Sequence, residues 1–123
     1  MVKKVVIAGC RHFEDYPFLR YACDACLSRL VREGHEICIL SGCCRGADQL
    51  GERYAAERGY AVELHPANWH FYGSSAGPRR NREMAEAADY IIVFWDGVSA
   101  GSRSMIEHAK QLKKPLRVIT KKR

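Results

Sequence analysis

Short, nearly unbroken apolar runs alternate along this chain with longer stretches in which apolar residues return every three or four positions. The runs are Val5-Val6-Ile7-Ala8, Ile37-Cys38-Ile39-Leu40, Ala61-Val62-Glu63-Leu64, Tyr90-Ile91-Ile92-Val93-Phe94-Trp95 and Leu116-Arg117-Val118-Ile119. Uninterrupted, β-branched runs of this length predict strands covered on both faces. The third run is less apolar, which predicts a place nearer a sheet edge.

Between the runs lie four helical patterns. The first carries Leu19, Cys23, Cys26, Leu27 and Leu30 on one face and ends near Gly34; the second carries Ala47, Leu50, Gly51, Tyr54 and Ala55 and ends at Gly59. The third opens at Pro78, whose missing N–H is harmless in a first turn, and presents Asn81, Met84, Ala85 and Ala88. The fourth follows a loop from Asp96 to Gly101 and presents Met105, Ile106, Ala109 and Leu112. Residues 66–77 read as a longer loop. Five strands alternating with four helices predict an α/β fold: a three-layer, Rossmann-like, doubly wound parallel sheet in the order 3-2-1-4-5. No repeat, low-complexity tract or linker interrupts the pattern, so residues 1–123 read as one domain.

Composition adds limits. The chain has 123 residues and a formal net charge of +6, and a domain of this length buries a substantial core. No apolar run is long enough to span a bilayer and no leader pattern opens the chain, so a cytoplasmic protein without membrane association is expected. Part of the charge sits in Lys113-Lys114 and in Lys121-Lys122-Arg123, which read as solvated clusters while leaving weak nucleic-acid attraction open. Six cysteines do not read as a disulfide framework in a reducing compartment. Cys23 and Cys26 fall on an apolar helix face, and the adjacent Cys43-Cys44 is poor geometry for two ligands to one ion. No metal site is expected, and no cofactor is required.

The strand-to-helix loops hold the chemistry. In an open parallel sheet they share the rim outside the strands' carboxyl ends, where ligands bind. They contain Gly9, Cys10, Arg11 and His12, then Ser41, Gly42, Arg45, Gly46 and Asp48, then Trp69, Gly77, Arg79, Arg80 and Asn81, then Trp95, Asp96, Gly97, Ser99, Gly101 and Ser102. Glycine lets backbone N–H groups approach an anion, helix N-termini favour negative charge, and arginine offers a fork of donors to phosphate. The opposite rim is short and plain. Neither a G-x-G-x-x-G fingerprint nor a G-K-[ST] phosphate loop is present, which argues against a standard dinucleotide dehydrogenase and a Walker-type NTPase. Ser41–Asp48 reads as a phosphate or ribose cradle or as a plain turn, and Gly97–Ser102 as an anion site or a helix cap. Arg79-Arg80-Asn81-Arg82 reads as a first helical turn whose cations oppose the dipole unless an anion binds. Trp69 and Trp95 could stack on a base or simply pack.

The series Gly9-x-Arg11-x-Phe13, Ser41-Gly42-x-x-Arg45-Gly46-x-Asp48, Pro66-Ala67-x-Trp69, Ala76-Gly77-Pro78-Arg79-Arg80-Asn81-x-x-Met84 and Phe94-Trp95-Asp96-Gly97-x-Ser99-x-Gly101 resembles the YspA/YpsA-related branch of the SLOG superfamily. That superfamily includes DprA DNA-processing proteins and Lonely Guy phosphoribohydrolases. The resemblance spans nearly the whole chain and implies a phosphate-bearing nucleotide or nucleotide-derived ligand, of nucleoside monophosphate, NAD or ADP-ribose type. Related folds also pair through a helix face, so a homo-oligomer is compatible with it. Arg80 and Met84 match an R-K-x-x-M element of the Lonely Guy enzymes, with Asn81 in place of the Lys. Gly101-Ser102 matches their Gly-Thr, but Met105 stands where they carry a catalytic Glu, and Glu107 lies about 200° further round the helix. Three functions follow: a nucleotide-binding or sensing domain, an N-glycosidic bond hydrolase, or a single-stranded DNA binder like DprA. For the hydrolase, Asp48 and Asp96 are the available carboxylates, with Arg80 holding phosphate.

Overall fold

The computed structural model describes residues 1–120; the basic cluster Lys121-Lys122-Arg123 lies outside the described residues. Five strands, β1 (Val2–Gly9), β2 (Glu36–Ser41), β3 (Ala61–Leu64), β4 (Tyr90–Trp95) and β5 (Leu116–Thr120), form one sheet. Every pairing is parallel and the order is β3-β2-β1-β4-β5. The expected order and class are those observed, and β3 occupies an edge.

The apolar runs work as buried strands because both faces are used. Val5 and Ile7 point to one side, where they pack with Leu19, Cys23 and Leu27 of α1 (Tyr16–Arg32) and Ala47, Tyr54 and Ala55 of α2 (Ala47–Arg58). Val6 and Ala8 point to the other and meet Met84, Ala85 and Ala88 in and just after α4 (Ala76–Ala87), and Met105, Ile106 and Ala109 of α5 (Ala100–Gln111). Period-two alternation within a strand thus separates two cores, giving three layers. Asp15 starts α1 by accepting the Phe18 N–H at 3.2 Å. Asp24 ties α1 to α2 by accepting from Tyr54 at 2.6 Å and from the Arg58 guanidinium, which holds its carboxyl below the usual range.

The segment 66–77 is not the plain loop its composition predicts. Asn68 accepts the Phe71 N–H at 3.0 Å and starts a single turn, α3 (Trp69–Tyr72), followed by a 3-10 turn over Gly73–Ser75. Helix α4 then begins at Ala76, two residues before Pro78. Arg79 is therefore the fourth residue of α4 and Arg80, Asn81 and Arg82 lie in its second turn, so the cluster opposes the helix dipole less than a first-turn placement would. Side-chain capping by Asn68, a local signal, overrode the turn-like composition.

Candidate functional site

The strand order reverses between β1 and β4, and a cleft of ≈ 330 Å³ opens at the carboxyl ends of these strands. Gly9, Cys10, Arg11 and His12 line it from the β1–α1 loop, and Ser99 to Ser102 from the start of α5. Cys44 and Asp48 close it from the α2 side, Arg80, Asn81 and Met84 from α4, and Met105 from α5.

Its wall at α5 is an open helix end. Ser99 holds the capping position, yet its hydroxyl caps nothing: it donates to the Asp96 carboxylate at 2.7 Å. Asp96 also accepts the N–H groups of Val98 at 2.9 Å and Ser99 at 2.8 Å. The first N–H groups within α5, those of Ala100, Gly101 and Ser102, have no acceptor inside the helix and face the cleft end. Ser102 is buried, and among the described residues its hydroxyl has the Cys10 sulfur as its side-chain hydrogen-bond partner, at 3.7 Å.

Opposite stands Arg80, buried at 8 % exposure. Its Nε donates to Asn81 at 2.8 Å, its Nη1 to the Gly42 carbonyl, and the Cys44 sulfur lies 3.9 Å from Nη2. Asn81 in turn donates to the Gly101 carbonyl at 3.3 Å, joining α4 to the start of α5. The guanidinium is thus fixed before any ligand arrives. Arg11 adds a second, exposed cation that no carboxylate pairs with among the described residues.

Asp48 is the cleft's acid. It sits in the first turn of α2, 5 % exposed, and accepts the Cys44 N–H at 3.2 Å. Burial pushes it up to about 6, although the Cys44 N–H and the Arg80 charge pull the other way. Gly42 keeps this arrangement possible: a Cβ there would lie 2.7 Å from Asp48 Oδ2 and 2.8 Å from Arg80 Nη1. Gly46, at φ +79°, lets the start of α2 press against the β1–α1 loop, where Ala47 N–H donates to the Cys10 carbonyl at 3.2 Å.

Asp96 differs from Asp48. The Ser99 and Val98 N–H groups and the Ser99 hydroxyl hold its carboxyl well below the usual range. Its carboxylate organises the loop. The Ser41–Asp48 segment likewise spends its donors internally: Cys43 N–H goes to Ser41 Oγ at 3.1 Å, and Ser41 Oγ to Glu52 at 2.6 Å. Ser41 and Gly42 are buried beneath the cleft, Gly46 is in the turn, and Arg45 projects to the surface. Gly97 turns the β4–α5 loop at φ +91°.

The expected aromatic contacts fall outside the cleft lining. Trp95 donates its indole N–H to the Ser99 carbonyl at 3.1 Å and packs against both cores. Trp69 lies over Gly77, and Arg79 lies over the Tyr72 ring at 4.3 Å while donating to Ser75 at 3.3 Å. Met84 and Met105, read from their spacing as core stripe and placed by the family resemblance at site positions, floor the cleft with 1 % exposure each. Residues of an apolar stripe nearest a rim loop serve both roles. Cys44 faces the cleft, whereas Cys43 adopts φ +67° with its sulfur 3.8 Å from the Ser41 carbonyl.

Comparison with known proteins agrees with this fold. The X-ray structure of TM1055, a structural-genomics target, superposes with a TM-score of 0.64 at 20 % identity, covering 94 % of this chain and 72 % of that one; the likeness is one of fold. The gene 61 protein of Mycobacterium phage D29 is 34 % identical over 116 residues, spanning 89 % of this chain and 90 % of that protein. The sequence profile of the YspA, cpYpsA-related SLOG family matches residues 3–72. The chain belongs to that family.

Proposed function

We propose that the protein binds a phosphate-bearing nucleotide ligand in the cleft between the β1–α1 loop and the start of α5. The observation that carries this reading is the uncapped N-terminus of α5 facing the fixed Arg80 guanidinium across one small cavity. Free N–H groups and a helix dipole favour an anion, and an arginine already held in place loses little freedom on binding it. Arg11 supplies an exposed second cation. Family membership supports a nucleotide-related role. The volume, ≈ 330 Å³, lies at the small end for ligand sites, which favours a nucleoside monophosphate or ribose phosphate over a whole dinucleotide.

A second reading, cleavage of an N-glycosidic bond, has one observation in its favour. Asp48, raised to about 6 at the cleft, is suited to taking or giving a proton near neutral pH. Against it stands Met105, a thioether at the floor where the Lonely Guy enzymes have their Glu. Binding without turnover is therefore the better-supported function.

The test combines two readouts on one panel: the four ribonucleoside monophosphates, ribose 5-phosphate, NAD, ADP-ribose and a short single-stranded DNA. Thermal shift by a monophosphate with no free base released on chromatography is the expected result. Base release that vanishes in Asp48→Asn would instead establish the hydrolase. Stabilisation by DNA alone, falling steeply with salt, would overturn both.

A further inference from the structure

One cluster at the cleft mouth is not explained by anion binding. Cys10 Sγ, a ring nitrogen of His12 and a carboxylate oxygen of Asp96 all lie within 4.8 Å of one another. They come from two loops, after β1 and after β4, that the parallel topology brings side by side. We propose that these three residues form a binding site for a zinc-type divalent cation, with its open position toward the cleft.

The donor set is one sulfur, one nitrogen and one oxygen, which suits a borderline-soft ion and not magnesium or calcium. A tetrahedral ion with bonds of about 2.0–2.3 Å holds its ligands about 3.5 Å apart. His12 Nε2 and Asp96 Oδ2 already stand at 3.3 Å, so closure needs only small side-chain adjustments. The surroundings also fit. The Asp96 N–H donates to the Cys10 sulfur at 3.2 Å, a bond that favours the thiolate a metal requires. The thiol's own proton is directed at the Phe94 carbonyl at 3.4 Å, and that carbonyl keeps the Cys10 N–H at 3.1 Å when the proton leaves. Asp96 Oδ1 is fixed by two backbone N–H groups, which orients Oδ2, itself bonded to the Ser99 hydroxyl, toward His12. Cys10 is buried, whereas the His12 side chain is 35 % exposed and closes the site from outside.

Cys10 and His12 also line the cleft, so a bound ion would reach its fourth ligand there, water or an oxygen of whatever occupies the cavity. The site is tested without any nucleotide, so its success or failure is independent of the ligand reading above.

The experiment titrates Co²⁺, and separately Zn²⁺, into the reduced, chelator-treated 123-residue chain. One equivalent of Co²⁺ should bind with a near-ultraviolet thiolate-to-cobalt band, and Zn²⁺ should displace it. Cys10→Ser should abolish the band, and His12→Ala, a change at an exposed side chain that leaves the core intact, should weaken binding at least tenfold. A Cys43→Ser variant, changed at a thiol outside the cleft lining, should bind as the wild type does. Absence of the band, its persistence in Cys10→Ser, or unchanged affinity in His12→Ala would each overturn the proposal.

Discussion

Asp48, Arg80 and Gly42 form the smallest unit on which the cleft depends. The acid and the base approach each other across a glycine whose missing Cβ leaves room for both. Gly42→Ala should therefore cost about 1–3 kcal/mol, because neither buried neighbour can move aside freely; urea denaturation reads this, and an unchanged midpoint would refute it. Asp48 also sets a pH signature. Its carboxyl is raised in the folded protein to about 6, so the unfolded chain releases that proton first as pH rises. Stability contributed by the protonated acid is complete below about pH 4 and is lost as pH climbs to about 6. The loss is on the order of 3 kcal/mol. Denaturation from pH 4 to 7 should show wild type falling relative to Asp48→Asn across that window. Parallel profiles for the two proteins would contradict the buried, raised acid.

Among the elements, the start of α5 is the one on which the proposed binding site most depends. A helix of this length normally gains from a cap or a first-turn acid, and α5 has neither: its capping residue serves Asp96. Ala100→Asp would supply the missing negative charge. It should stabilise the helix by about 0.3–1 kcal/mol while weakening a phosphate-bearing ligand at least tenfold. Thermal melting and a binding titration on the same variant check the two opposed effects; a variant that loses neither affinity nor gains stability would remove α5 from the site. The same element shows where sequence reading stops. The apolar runs located β3 and β4 to the residue, because each run is as long as the strand it forms. Whether Ser99 capped α5 depended on where its hydroxyl pointed, which only the position of Asp96 decides. Likewise α3 is four residues long, too short for a helical period, and its one local signal was Asn68.

Across the whole molecule, the parallel topology makes one rim of every strand-to-helix loop, which is why the loop after β1 and the start of α5 were legible as neighbours from their order alone. Depth was not legible. Ser41 reads like Ser102, yet Ser41 lies under the cleft bonded to Glu52 while Ser102 lines it. Trp95 reads either as a stacking face or as packing, and its indole fastens the β4–α5 loop. Charge was similarly uneven as a guide: of the loop arginines, Arg11 and Arg80 line the cavity, whereas Arg45 and Arg79 face the surface. These distinctions arise from packing between elements far apart in sequence, which no local pattern encodes.

In the proposed function, phosphate recognition in this one cleft drives ligand binding. Calorimetric titration of the best-stabilising nucleoside monophosphate, beside its unphosphorylated nucleoside, addresses it most directly, with Arg11→Ala as a variant that leaves the core untouched. One site is expected, with affinity at least a hundredfold weaker for the nucleoside and about a tenfold loss in Arg11→Ala, in keeping with charge-assisted hydrogen bonds of about 1.5–3 kcal/mol. Equal affinity for nucleotide and nucleoside, or no binding of either, would contradict it.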